Sequence, residues 1–126
     1  LGLADISPDG RLVAFTTTSD RNQPAIAVCE LPDCTARRML PAPPTRWHWM
    51  RDSLGLAYIG PPTSSDIWVQ PLAGGAPRQL TRFERDGRQI ADFSWSADGQ
   101  RIAVARSVSS SNIVLFRGLR PTAPTR

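Results

Sequence analysis

The chain has 126 residues, of which 40% are hydrophobic and 7% aromatic, a composition that suits one modest folded core and not a disordered tail. Its formal net charge is +4, and every one of its 15 basic residues is an arginine. These arginines are dispersed, which argues against nucleic acid as a partner, because nucleic-acid binders cluster their positive charge. No apolar run approaches the about 18 residues of a membrane span, so we expect no direct membrane insertion.

An internal repeat organises the chain. Three segments align without gaps, and each is a turn followed by an apolar run. They begin at Ser7, Met50 and Ser96, which places them 43 and 46 residues apart. Val, Ile, Phe and Trp dominate the runs, which are short and bounded by turn residues, so they predict strands and not helices.

The strands follow one order in each repeat, with lengths typical of an all-β fold. In the first repeat they are predicted at 3–6, 12–17, 25–30 and 37–40. In the second they are predicted at 46–49, 55–59, 66–70 and 78–81. In the third they are predicted at 91–95, 101–106 and 112–116, without a clear fourth strand. A Pro/Thr tail, 121–126, is expected to be flexible.

Asp-Gly turns join the first two strands of the outer repeats. Asp9-Gly10 and Asp98-Gly99 fit because Asp bonds local backbone N–H groups and Gly adopts positive φ. The second repeat keeps Asp52 but has Ser53 in place of Gly, so its turn is expected to be looser.

The cysteines, Cys29 and Cys34, bracket the connection between the third and fourth strands of the first repeat. A four-residue hairpin loop brings its flanking residues within disulfide range, so we predict a bond that staples this hairpin. Two free thiols in a reducing cell, or half of a zinc site, are the alternatives. A disulfide favours an oxidising, extracytoplasmic location.

Candidate binding residues lie in or beside the loops between repeats, where partners are usually bound. They are Arg46, His48, Arg82, Arg85 and Arg88. The neighbouring aromatics Trp47, Trp49 and Trp95 share one strand face and are better explained as core, because large apolar side chains usually fill interiors.

No catalytic constellation is apparent. His48 is the one histidine, there is no lysine, and the sequence has neither a Gly-x-Ser-x-Gly elbow nor a phosphate-binding glycine loop. We therefore expect no catalytic residues, no metal site and no cofactor in these residues, although a parent protein can carry a kinase or peptidase domain elsewhere.

The repeat length and strand order are those of β-propeller blades. The segments Ile6-Ser-Pro-Asp-Gly-Arg-Leu-Val-Ala-Phe15 and Asp66-Ile-Trp-Val-Gln-Pro-Leu72 resemble TolB-type, WD-repeat-like propeller repeats. The resemblance extends to the C-terminal propeller regions of bacterial serine/threonine protein kinases and winged-helix regulators. It implies a partial, open ring over 1–120 of three four-stranded antiparallel blades, at about 1–42, 43–83 and 84–120, the last lacking its outer strand.

The resemblance implies a non-catalytic protein-interaction or ligand-sensing module of a larger bacterial signalling protein. The module would lie on the periplasmic side, tethered through an upstream membrane segment. The remaining blades of the same chain, or a second copy, would complete the ring, and the protein or small-molecule ligand is unknown. The alternatives are a TolB-like periplasmic envelope scaffold and the accessory propeller of a prolyl-oligopeptidase-like hydrolase.

Overall fold

A computed structural model of the chain describes residues 3–41, 46–60 and 65–108. Within these ranges the secondary structure is entirely β: two four-stranded antiparallel sheets and one two-stranded antiparallel sheet. The all-β prediction is therefore confirmed. The predicted third strand of the last repeat, 112–116, and the tail, 121–126, lie outside the described residues.

The strands are consecutive within each sheet, so each connection within a sheet joins neighbouring strands. The first sheet contains β1 (Ala4–Ile6), β2 (Leu12–Thr18), β3 (Pro24–Glu30) and β4 (Arg37–Leu40). The middle sheet contains β5 (Trp47–Trp49), β6 (Gly55–Ile59), β7 (Ile67–Pro71) and β8 (Arg78–Gln79). The third sheet contains β9 (Gln89–Trp95) and β10 (Ile102–Ser107). Each predicted strand in the described ranges is present within a few residues of its expected bounds.

The three sheets share one register, as a true repeat requires. Ala4 pairs with Phe15 in the first sheet and Trp47 pairs with Tyr58 in the middle sheet. The equivalent pair in the third sheet is Phe93 with Val104. Because side chains alternate along a strand, equal register sends equivalent residues of each sheet to equivalent faces.

The middle sheet is covered on both faces. One face, with Trp47, Trp49, Leu56 and Tyr58, packs in a cluster with Ala14, Ile26, Val28 and Leu40 of the first sheet. The other face, with Ala57, Ile59, Ile67 and Val69, packs in a second cluster with Ile90 and Phe93 of the third sheet. The nearly continuous apolar runs of β6 and β7, interrupted in β7 by the buried Gln70, follow from this, since a strand buried on both faces has no side facing solvent.

The Asp-Gly turns of the outer sheets are closed by the same hydrogen bonds. The Ser7 hydroxyl donates to the Asp9 carboxylate (2.6 Å) and accepts from the backbone N–H of Leu12 (3.0 Å). Ser96 and Asp98 repeat the first bond at 2.5 Å. Gly10 and Gly99 have φ of 76° and 72°, the left-handed region that the sequence predicted for them.

The middle turn is not simply a looser copy. Ser53 adopts the glycine conformation, with φ of 63°, and its N–H still bonds the Met50 carbonyl at 3.0 Å. Met50 stands where the other turns have serine, so the side-chain bonds of that serine are missing. The buried Ser53 hydroxyl instead accepts the backbone N–H of Asp9 at 3.1 Å, which joins the middle turn to the first one.

Cys29 and Cys34 form the predicted disulfide, with their Cα atoms 5.0 Å apart. Cys29 lies in β3 and Cys34 lies in the connection to β4. The bond staples the outer hairpin of the first sheet.

Candidate functional site

The first strands of adjacent sheets approach one another. The indole N–H of Trp49 in β5 donates to the backbone carbonyl of Asp5 in β1 at 3.0 Å. Between β5 and β9 the contact is polar and involves side chains, and it includes two of the residues that the sequence selected, Arg46 and His48.

Arg46, His48 and Asp92 form one cluster between the middle and third sheets. The Arg46 guanidinium donates to Asp92 Oδ2 at 3.3 Å, and Asp92 Oδ1 lies 3.8 Å from His48 Nε2. The cluster is open to solvent, since the Arg46 and Asp92 side chains are 56% and 53% exposed. Asp92 is in turn oriented by the backbone N–H of Phe93, which donates to its Oδ1 at 2.8 Å.

The His48 ring is held on its apolar side by Phe93. The two rings meet edge to face, with centroids 4.8 Å apart and an interplanar angle of 85°. The Nε2 atom is shielded from solvent and has no hydrogen-bond partner among the described residues. The imidazole is thus positioned by packing, and its distance to Asp92 exceeds hydrogen-bond range.

This arrangement places a cation, a titratable ring and a carboxylate around one partly exposed point. Such a set can recognise a polar ligand by charge-assisted hydrogen bonds, with Arg46 supplying donors and Asp92 an acceptor. The cluster of Arg46, His48 and Asp92 is named below the first-strand cluster.

The other candidate arginines lie apart from the first-strand cluster in the segment 81–89. Arg82 donates to Gln79 at 3.3 Å, and Arg85 donates to the Ser65 hydroxyl at 2.7 Å. Arg88 Nε is 3.8 Å from Asp86. The five candidates therefore take part in separate contacts: Arg46 and His48 with Asp92, Arg82 with Gln79, Arg85 with Ser65, and Arg88 with Asp86.

Two carboxylates fix the segment 81–89 to the sheets. Buried Asp66 accepts the hydroxyl of Thr81 at 3.1 Å and the backbone N–H of Phe83 at 2.9 Å. Asp86 accepts from the Arg106 guanidinium at 2.9 Å, and that guanidinium lies 4.5 Å above the Phe83 ring.

The backbone N–H of Arg88, together with the charges of Arg106 and Arg88, holds the pKa of the Asp86 carboxyl below its ordinary value. Asp86 is therefore ionised under ordinary conditions and pairs with Arg106. These contacts give several polar side chains of the segment a structural role.

Asp92 is the member of the first-strand cluster that the candidate set lacked. A signal was present in the repeat, since Arg46 and Asp92 stand at equivalent positions, 46 residues apart, in successive first strands. Opposite charges at equivalent positions of adjacent repeats indicate a contact between the repeats.

The tryptophans lie in the core, as their shared strand face predicted. Trp47 and Trp49 are 3% and 4% exposed and lie in the core between the first and middle sheets. Trp95 packs partly buried against the second cluster. His48, which lies between Trp47 and Trp49 and so points to the opposite face of the strand, contacts Phe93 of the third sheet.

Two other kinds of feature are absent from the described ranges. In residues 3–41, 46–60 and 65–108, no three His, Cys, Asp or Glu side chains converge in a way that could hold a metal ion. The same ranges contain no helix long and apolar enough to cross a bilayer.

No family model matches the sequence, and no curated protein matches it significantly.

Proposed function

We propose that the chain is part of a β-propeller and serves as a non-catalytic interaction or sensing module of a larger bacterial signalling protein. Its ligand is contacted at the edge formed by the first strands, through the first-strand cluster. Three sheets of equal register, stacked in chain order, support the propeller, because blades of a propeller pack face to face in this way.

One observation carries the binding proposal. Arg46, His48 and Asp92 come from two different sheets, meet at a partly exposed edge and are oriented there by Phe93. Side chains carried on strands are positioned more precisely than side chains on loops, which favours this edge as a binding site. The disulfide of Cys29 and Cys34 supports an extracytoplasmic location, because such bonds persist in oxidising compartments.

A selection of random peptides displayed on phage tests the binding role with the chain as it exists. Peptides are selected on the purified chain and their affinities are then compared between the chain and an Arg46→Ala/His48→Ala variant. We expect acidic residues in the selected peptides and an affinity loss of about tenfold or more in the variant, since Arg46 is the cation of the cluster and a charge-assisted bond contributes this much.

Arg21→Ala is the matched control, because Arg21 is an exposed arginine in the turn between β2 and β3, away from the first-strand cluster. It leaves the affinity unchanged if the cluster, and not net charge, determines binding. Selected peptides that bind the double variant as well as the unaltered chain would contradict the proposed site.

A further inference from the structure

A cleft of about 480 Å³ opens on the first sheet beside its disulfide-bonded hairpin. Of the residues that line it, Leu12, Val28 and Glu30 share the sheet face that packs on the middle sheet. Arg38, which pairs with Val28 from β4, lies on the same face. The cleft is thus at the margin of an interface inside the chain, and its volume is within the range of small-molecule sites, about 300–1,000 Å³.

The cleft has an apolar floor and two opposite charges at its rim. Val28 is 4% exposed and belongs to the cluster shared with the middle sheet, and half-buried Leu12 packs against that cluster. Glu30 and Arg38 are exposed. Neither side chain forms an ion pair with any other residue that the structure describes. A carboxylate and a guanidinium are therefore both free to bind a ligand over this floor.

The equivalent place in the middle sheet lacks this combination. The strand registers make the following residues equivalent: Leu12 and Gly55, Glu30 and Pro71, Arg38 and Arg78. The arginine is thus present in both sheets, whereas the carboxylate and the apolar side chain beside it are present in the first sheet alone. The fold of the repeat accordingly does not explain why Glu30 and Leu12 occur here.

The disulfide fixes the wall of the cleft next to β4. Thr35 and Ala36, which line the cleft, follow Cys34 directly. The backbone N–H of Cys34 also donates to the carbonyl of Glu30 at 2.9 Å, and its sulfur is bonded to Cys29. The loop is therefore held at both ends and the cleft is formed before a ligand arrives, which reduces the ordering cost of binding.

We propose that this cleft binds a small amphoteric ligand, one that carries an ammonium group and a carboxylate on a single apolar chain, as amino acids do. Glu30 accepts from the ammonium, Arg38 donates to the carboxylate, and the chain of the ligand covers Leu12 and Val28. Charge-assisted bonds of this kind are about twice as strong as neutral ones. The cleft is separate from the first-strand cluster, and the inference does not depend on that cluster binding a ligand.

Isothermal titration calorimetry of the unaltered chain with 6-aminohexanoate tests the proposal. Hexanoate and hexylamine are the matched probes, because each keeps the apolar chain and only one of the two charges. We expect 6-aminohexanoate to bind about tenfold or more tightly than either, since one charge-assisted bond contributes this much. Equal affinity for the three probes, or no binding of 6-aminohexanoate, would overturn the inference.

Substitutions at the rim assign each charge to its group on the ligand. Glu30→Gln should lower the affinity for 6-aminohexanoate to about that of hexanoate, because only the ammonium contact is lost, and Arg38→Gln should lower it to about that of hexylamine. Arg78→Gln, the equivalent substitution in the middle sheet, should have no effect, and neither should Arg46→Ala/His48→Ala in the first-strand cluster. A loss with Arg78→Gln as large as that with Arg38→Gln would show that net charge determines binding, which contradicts the proposed site.

Chemical-shift mapping by NMR gives an independent readout of where the ligand lies. 6-Aminohexanoate should shift the backbone amides of Val28, Thr35 and Arg38 more than the equivalent middle-sheet amides of Val69 and Arg78. Shifts confined to the middle and third sheets would overturn the inference, whatever the affinity.

Discussion

Ser53 combines an unfavourable backbone with a useful side chain. At φ of 63° it occupies a conformation that glycine adopts without cost, as Gly10 and Gly99 do at the equivalent positions. Ser53 is 5% exposed, and its hydroxyl accepts the backbone N–H of Asp9 from the neighbouring turn. The bond between turns accounts for a serine at a position where backbone geometry alone favours glycine.

Two substitutions at Ser53 should therefore lower the free energy of unfolding by different amounts. Ser53→Ala keeps the strained φ and leaves the Asp9 N–H without its acceptor, so we expect it to lower the free energy of unfolding by about 1–2 kcal/mol. Ser53→Gly loses the same bond but relieves the backbone strain. Its loss of unfolding free energy should therefore be smaller than that of Ser53→Ala by up to about 1 kcal/mol. Denaturant unfolding of both variants measures the difference, and equal losses would show that the backbone strain is absent.

The turn carboxylates link stability to acid pH. The Ser7 hydroxyl and the N–H of Arg11 hold the pKa of the Asp9 carboxyl below its ordinary value. The Ser96 hydroxyl and the N–H of Gln100 do the same to the pKa of Asp98. A carboxyl whose pKa is lower in the folded chain stabilises the fold above its unfolded pKa of about 3.9, and this contribution disappears as the pH falls through the folded value.

We accordingly expect the stabilising contribution of these groups to be constant around neutral pH and to be lost below about pH 4, so that the free energy of unfolding falls there. A Ser7→Ala/Ser96→Ala variant should lose less stability on acidification than the unaltered chain, because the main cause of both lowered pKa values is removed. Denaturant melts at a series of pH values measure this, with exposed Ser107→Ala as control. Parallel pH profiles for the double variant and the unaltered chain would contradict it.

The outer hairpin of the first sheet is the element with a covalent constraint. β3 and β4 pair over four residue pairs, from Ile26 with Leu40 to Cys29 with Arg37, and the disulfide closes the connection just beyond. A short loop restricts the unfolded chain only modestly, so reduction should cost about 2 kcal/mol.

Denaturant unfolding with and without a reducing agent tests this estimate. The Cys29→Ala/Cys34→Ala variant separates the bond from other effects of the reagent, because it has no bond to reduce and should show no difference between the two conditions. Thiol titration of the denatured, unreduced chain should find no free thiol, since both cysteines are bonded. Two titratable thiols would contradict the disulfide, and with it the support for an extracytoplasmic location.

At the scale of the whole molecule, the repeats in the sequence predicted the fold better than the residue types predicted the candidate site. The strands and the disulfide could be predicted because they depend on local patterns: apolar runs, Asp-Gly turns and the spacing of Cys29 and Cys34. The first-strand cluster could be predicted only in part, since Asp92 reaches Arg46 through the stacking of two sheets. The role of Ser53 was missed for the same reason, because its bond to Asp9 spans 44 residues.

Stacking also predicts how stability is distributed. Every residue of β6 is buried, and its two faces contact different neighbours, whereas side chains of β10 alternate between half-buried and exposed. In a stack of repeats each unit is stabilised mainly by its neighbours, so the unit covered on both sides opens least often. We therefore expect amides of the middle sheet, such as those of Leu56, Tyr58 and Val69, to exchange with deuterium most slowly.

Hydrogen exchange at dilute protein concentration measures this order of protection. Middle-sheet amides should exchange about tenfold or more slowly than bonded amides of β10, because β10 opens by releasing one covered face and β6 by releasing two. Uniform exchange across the three sheets would mean that the chain opens as one unit, so that protection does not depend on how many faces of a sheet are covered.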